Sequence, residues 1–549
     1  MKKYLLIILL YTTQSYGQYI GSYNSIGSNF LGLKPYVRSI SVDKTGDVYY
    51  SDICRDNFAM DGKYFTPNLG APGIQQAAYG IMQGDYNINN LGLFQTFAYN
   101  VNKSDVGMQE IITLAMPSGK TTLIYNFDQD IISWLDTLKA TKMGKDIGIS
   151  VFNGNIRKWT RQSSGLADEY ILSATYDEHE NIYLLGWFTH DRSKLYDTVP
   201  AKFDTLKFYP KDYAQNSNID FKNYFVVSYD ASGKLRWGRE ISTPYYATAG
   251  NITYKKGRGL LFDFASLYIY VEGKKMMDSI GSAFILNSQV SMDTLGSAIN
   301  LDPVYELPFG LLGLVDMHFN NLHCEVPYST NTYSVSYFNQ RFKLGSDSLI
   351  PSRESDFDST YNWPEMYLAK KVNGKYTNAK SIGLSAGFYD KQTVITEIQA
   401  DSMGRVYLLG HFTDTLYLDS IHIKPKTKQD IFLACYDSNF KLLWLQTGHG
   451  DSGTMAYASG MAVYGNKVTI NGYVNDTFYW QDQAMDHEDF MHMFMCRFEV
   501  FGTGVKVVDD PRNANGIKVW PNPANDMINI QHYAKQKEEL AIYTNYFLT

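Results

Sequence analysis

Along most of the chain, apolar residues come in short unbroken runs, each closed by a cluster of Asp, Asn, Gly or Ser. The run in "DEHENIYLLGWF" (177–188) returns in "DSMGRVYLLGHF" (401–412), and a looser copy stands at "VYGNKVTINGYV" (463–474). A glycine closes the run in each copy, at Gly186, Gly410 and Gly472. "DKTGDVYYSDIC" (43–54) keeps Asp43, Gly46 and the run, with Asp52 at the glycine place. Asp and Gly supply a turn, Gly where φ must be positive. A run that is apolar at consecutive positions suits a strand covered on both faces.

A second pattern follows each run. "FVVSYDASGKLRW" (225–237), "FLACYDSNFKLLW" (432–444) and "IGISVFNGNIRKW" (147–159) each place a turn between two strands and end on a tryptophan. "YLAKKVNGKYTNA" (367–379) has the hairpin without the tryptophan. These read as β-hairpins. Trp159, Trp237 and Trp444 are expected to pack one repeat on its neighbour, each ring contributing about 2–3 kcal/mol when buried.

Gly410 and Gly472 lie 62 residues apart, and the 224 from Gly186 to Gly410 hold three repeats averaging about 75, with weak copies near 256–273 and 314–326. Starts near 43, 107, 177, 256, 314, 401 and 465 make seven. Four-strand units of this length that close radially form a β-propeller. The expectation is an all-β chain: a β-propeller of about seven blades, followed by a linker and an incomplete β-sandwich. The 44 tyrosines and 43 glycines favour strands and tight turns. A net charge of −7 argues against a nucleic-acid partner. Four cysteines, Cys54, Cys324, Cys435 and Cys496, are too few for a disulfide scaffold, and buried free thiols are the expected state.

The string "TGHGDSGTMAYASGMAVYGNKVTINGYV" (447–474), following "DIFLACYDSNFKLLW", resembles the β-propeller family of SBBP repeats, and "VDKTGDVYYSD" is similar to an NHL-type blade. The resemblance implies the fold and no activity.

Both ends of the chain bear on its address. Met1-Lys2-Lys3, the apolar "YLLIILLY" (4–11) and small residues at Ser15 and Gly17 have the layout of a cleaved secretory signal over 1–17. That apolar run is too short to span a bilayer, which takes about 20 residues, and no later run is long enough. Residues 18–506 are read as the propeller and "VVDDPRNANG" (507–516) as a linker. "KVWPNPANDMINI" (518–530) carries Pro521, Asn522, Pro523, Ala524 and Asn525 ahead of an alternating run. It resembles the start of the C-terminal sorting domain of type IX secretion cargo. The resemblance implies the type IX machinery as a partner and a cell-surface or secreted destination. Residues 517–549 cover only part of such a domain, so passage beyond the periplasm stays open. Pro-Asn-Pro is read as a stiff, non-strand lead-in to a strand at "MINI".

Motifs for chemistry are short of their context. Ser452 in "GDSG" lacks the architecture of the proteases that share the string. His487, Glu488 and His492 have histidines five apart where a helical zinc motif needs four. His179 falls in a turn. The long connection 189–223 is read as one loop, a candidate ligand platform. No catalytic, cofactor or metal residues are assigned. The expected role is an exported propeller without catalysis that binds an extracellular glycan or protein. A propeller hydrolase or lyase acting on polysaccharide or peptide is the alternative, and a truncated, non-functional secretion cargo the third reading.

Overall fold

Strand follows strand, with no helix among the described residues. In this computed structural model the described residues are most of 18–500 and the strands 517–522 and 527–532. The longer connections outside the description are 29–38, 66–75, 83–90, 190–199, 210–222, 309–321, 351–364 and 385–392. The chain forms two compact units, one of Ser22–Arg497, the other of Met1–Gly21 with Phe498–Thr549. The signal region 1–17, the linker 507–516, Pro523, Ala524, Asn525, Ser452, His487 and Glu488 lie outside the described residues.

Among the described residues seven sheets have four or more strands. We number them by their inner strands: Ser39–Val42, Met108–Ala115, Asp168–Tyr176, Thr253–Lys255, Leu322–Glu325, Thr393–Ala400 and Ala456–Tyr464. Sheet three shows the plan: Asp168–Tyr176, Ile182–Thr189, Asn223–Tyr229 and Leu235–Ser242 run antiparallel, each paired with the next. Sheet seven takes Ala456–Tyr464, Lys467–Val474 and His492–Val500 from late in the chain and Gln18–Ser28 from its beginning.

The unbroken apolar runs have a direct cause. Leu184 and Val227 of sheet three face sheet two, in a core with Ile124 and Ile149. Their neighbours Leu185 and Val226 face sheet four, in a core with Phe262 and Val290. Successive side chains on a strand point to opposite faces, so a sheet covered on both sides needs apolar residues at both parities. Sheets five and six share a core of the same kind, with Leu322, Val335, Leu408 and Phe432.

Each inner strand lies against the next, and the seventh returns to the first. Hydroxyls cover the edges these strands would otherwise expose. Ser39 Oγ accepts from Thr113 N at 2.9 Å, Ser41 Oγ from Ala115 N at 3.2 Å, and Ser173 Oγ from Ile252 N at 3.1 Å. At the closure, Tyr464 Oη donates to Lys44 O at 2.7 Å. Residues 22–497 thus form a β-propeller.

The sheets are larger than the repeat predicted. Between the second and third strands of sheet three the chain makes a small hairpin, Ala201–Phe203 with Leu206–Phe208. It pairs with the last strand of sheet two, Ile156–Gly165. Equivalent hairpins at Ile131–Ser133/Asp136–Leu138 and Phe478–Trp480/Gln483–Met485 likewise extend the preceding sheet. The connection 189–223 is therefore not one loop. Its centre is a hairpin with a two-residue turn, Asp204 at φ 49°, whose second strand is seated against Gly238, where an added Cβ would meet Leu206 Cδ2 at 2.2 Å.

In the other unit, Ile517–Asn522 pairs with Met527–His532, Pro521 opposite Ile528 and Asn522 opposite Met527. The first strand thus precedes the alternating run and includes Pro521 and Asn522, contrary to the non-strand lead-in expected. A two-stranded ribbon leaves open edges, where a proline's missing N–H costs no ladder bond.

Candidate functional site

Antiparallel order sorts the connections into two ends. Turns between first and second strands, and between third and fourth, lie at one end; the remaining connections lie at the other. The first end is built of tight aspartate turns. Asp177 Oδ1 accepts from His179 N and Asn181 N, both at 2.9 Å, and its Oδ2 from Tyr183 Oη at 2.7 Å. Asp401 does the same with Met403, Arg405 and Tyr407, and Asp43 with Thr45, Asp47 and Tyr49. His179 is an exposed member of such a turn. Asp230, Asp293 and Asp437 hold the third-to-fourth turns in the same way.

Two of the tryptophans clamp these turns. Trp159 Nε1 donates to Ala231 O of the next sheet at 3.0 Å, and Trp237 Nε1 to Thr294 O at 3.0 Å. Arg161 and Arg239, two residues on, donate to Gly233 O and Gly296 O. Sheet five has no tryptophan there, and Lys380 Nζ reaches Phe440 O at 2.9 Å instead. Trp444 is buried, with its Nε1 lacking a partner among the described residues. These residues hold the scaffold.

The open end carries different chemistry. Gly186, Gly410 and Gly472 stand there, each opposite a β-bulge of the inner strand. Each is followed by a ring: Trp187, His411 and Tyr473. Trp187 stacks on Tyr170 with centroids 3.9 Å apart, and Tyr473 on Tyr457 at 4.6 Å, with His411 edge-on to Tyr457 at 5.8 Å. None of these rings was singled out from the sequence; the Gly–aromatic dipeptide was the available signal.

Around Tyr170 the open ends of sheets two and three gather charge. Lys145 Nζ sits 4.7 Å from the Tyr170 centroid, on the face that Trp187 leaves free. The Lys145 amide donates to Asp168 Oδ1 at 2.8 Å. Glu110 and Asp128 lie within electrostatic reach of the Lys145 ammonium. Burial lifts the Glu110 carboxyl to about 7 against the pull of Lys145. Burial likewise raises Asp128, again opposed by Lys145. The Tyr170 phenol is pushed up to about 12 by burial first and then by the charges of Asp168, Glu110 and Asp128. Glu110, Asp128, Lys145, Asp168, Tyr170 and Trp187 are all partly exposed.

Asn126, fully buried, braces the base of this cluster. Its Nδ2 donates to Glu169 O at 2.7 Å and Asp146 O at 3.3 Å, and its Oδ1 accepts from Ile171 N at 3.0 Å. Among the described residues no three His, Cys, Asp or Glu side chains are placed to hold a metal ion. Cys324, Cys435 and Cys496 are buried free thiols, and burial raises Cys435 and Cys496. No described helix is long and apolar enough to cross a membrane.

No family model matches the sequence, and no curated protein matches it. Solved structures do. A protein of unknown function from Dyadobacter fermentans is 11% identical, covering 87% of this chain and 98% of its own, with a TM-score of 0.34. The phage phi92 endosialidase is 6% identical over 96% of this chain and 76% of its own, at 0.35. An ulvan lyase, a polysaccharide lyase, is 11% identical over 83% and 93%, at 0.32. Likenesses this distant carry no argument about chemistry, and the fold rests on the strand order above.

Proposed function

We propose that the chain is an exported binding protein whose open end, at sheets two and three, takes a neutral glycan without catalysis. The carrying observation is the Trp187–Tyr170–Lys145 stack ringed by Glu110, Asp128 and Asp168. A sugar ring offers a C–H face that packs on an aromatic surface and hydroxyls that donate to carboxylates. Three carboxyl groups against one ammonium disfavour polyanions, so a neutral saccharide fits better than a uronic or sialic polymer. The signal at 1–17 and the Pro521–Asn525 motif support export and delivery to the type IX machinery, with adhesion at the cell envelope as the role.

Titration calorimetry of the full chain against neutral and anionic oligosaccharides tests the binding. Binding of a neutral member, weakened roughly tenfold or more by Trp187→Ala, is expected. Binding confined to anionic glycans, or unchanged in Trp187→Ala, would refute this assignment. Fractionation tests export: the chain should leave the cytoplasm, and a form lacking 1–17 should stay behind.

One observation favours an enzyme. A carboxyl that burial lifts to about 7, as Glu110's is, in a cluster with further carboxyl groups suits a general acid in glycoside cleavage. Turnover of a bound glycan, lost in Glu110→Gln while binding persists, would establish that reading.

A further inference from the structure

We propose that the open end carries a second binding site, a row of lysines at the seam of sheets six and seven that takes an acidic polysaccharide. The chain between the second and third strands of sheet six, residues 413–429, first makes a small hairpin, Leu416–Leu418 with Ile421–Ile423. The hairpin is tied to sheet five, where Asp419 N donates to Ile382 O at 2.8 Å. The chain then returns to Gln429, which pairs with Met455 just ahead of the inner strand of sheet seven. Along that return, exposure alternates residue by residue. His422, Lys424, Lys426 and Lys428 are exposed, and the residues between them are half-buried. In a chain of net charge −7, three successive outward positions therefore carry lysine.

The backbone beneath the row is fixed. Asp430, 1% exposed, accepts from Lys426 N at 2.7 Å, Thr427 N at 3.2 Å and Thr427 Oγ1 at 2.6 Å. Lys428 N donates to Thr454 O at 3.2 Å, and Gln429 Nε2 to Ala456 O at 2.9 Å. A loop held in place has less freedom to lose when a ligand arrives. Of the other carboxylates in these two connections, Asp414 accepts from Thr415 N, Asp419 is paired with Lys380, and Asp451 is half-buried.

Lys426 is oriented by a histidine. His449 Nδ1 lies 2.8 Å from Gly450 O, which can only accept, so Nδ1 carries the hydrogen and Nε2 is left as an acceptor. Lys426 Nζ donates to that Nε2 at 3.1 Å. A neutral imidazole directs the ammonium without cancelling its charge. The His449 ring in turn lies on Tyr479, with centroids 5.1 Å apart and planes 16° apart, an aromatic flank on which the C–H face of a sugar can pack. A row of cations suits a chain with repeated anionic groups better than it suits one isolated phosphate. Docking on a bilayer would need apolar side chains turned outward beside the lysines, and here Ile421 and Ile423 are the half-buried positions. The site shares no residue with the cluster at sheets two and three, where carboxyls outnumber the ammonium, and does not depend on it.

The test is titration calorimetry of the full chain with oligogalacturonate at low salt, set against phosphatidylglycerol vesicles and a single-stranded oligothymidylate. Oligogalacturonate should bind, and Lys424→Gln/Lys426→Gln/Lys428→Gln should weaken it roughly tenfold or more. Raising the salt should weaken the parent's binding by a larger factor than the variant's. The three side chains are exposed, so the variant's thermal midpoint should match the parent's, which separates lost contacts from lost fold. Trp187→Ala should leave this binding unchanged, whatever it does to neutral glycans, so the two sites stand or fall separately. No binding of oligogalacturonate, equal affinity in the lysine variant, or loss in Trp187→Ala would overturn the proposal. So would tighter binding of the vesicles or of the oligothymidylate, which would assign the row to a membrane or to nucleic acid.

Discussion

Asp401 shows how much one side chain can organise. It is 1% exposed and accepts from two backbone amides, the Arg405 guanidinium and the Tyr407 hydroxyl. Asp401→Ala strands both Arg405 and Tyr407 in the interior, and a loss of about 3–5 kcal/mol is expected in urea unfolding of the full chain. Asp437 caps its turn with the same two amides but at the surface. Asp437→Ala should cost only about 1 kcal/mol. Equal losses would mean that the amide bonds, not the buried partners, carry the energy. The aspartates and the left-handed position three residues later were legible, because Gly46 and Gly404 mark it. Glu180 and Phe440 hold the same conformation at φ 59° and 64°. Nothing in their type announces it. The tyrosine six residues beyond the aspartate was visible only as part of an apolar run; its hydroxyl bond appears once the hairpin brings the two together.

At the scale of elements, glycines and bulges work in pairs. An added Cβ at Gly410 would stand 2.2 Å from Val394 O and 2.6 Å from Phe432 Cε1, beside the bulge between Ile395 and Glu397. Gly410→Ala should cost more than about 2 kcal/mol, whereas Gly119→Ala, with open space around it, should cost about 1 kcal/mol from its positive φ. Thermal unfolding of the two variants, side by side, checks this; similar losses would contradict the close packing at Gly410. The sequence displayed the glycine but not the bulge, because the bulged strands "YILSA", "VITEI" and "YASGM" share no residue pattern. The exchanged hairpins were hidden for another reason. Their strands are three residues each, too short for alternation to register, and the Asp204-Thr205 turn of the one between Ala201–Phe203 and Leu206–Phe208 reads as ordinary loop. The open-end site was missed likewise. Glu110, Asp128, Lys145, Asp168 and Trp187 come from five separate stretches, and only the stacking of sheet two on sheet three assembles them.

For the whole molecule, the consecutive apolar runs, the turn spacing and the late glycine repeats pointed to radial sheets, and the two-sided cores give the physical reason. The closure itself could not be read, since it joins residues some 420 positions apart. It is also what the account depends on: without it the inner strands have bare edges and sheets one and seven a bare face. The most direct test is cross-linking with a short thiol-reactive bridge. Lys44 is an exposed turn residue and Tyr464 the exposed last residue of the strand Ala456–Tyr464, in contact across the closure, while Lys256 is an exposed turn residue of sheet four. The closed ring predicts rapid intramolecular bridging in Lys44→Cys/Tyr464→Cys under native conditions, abolished by urea, and none in Lys44→Cys/Lys256→Cys. Equal bridging in the two double variants, or none in the first, would contradict it.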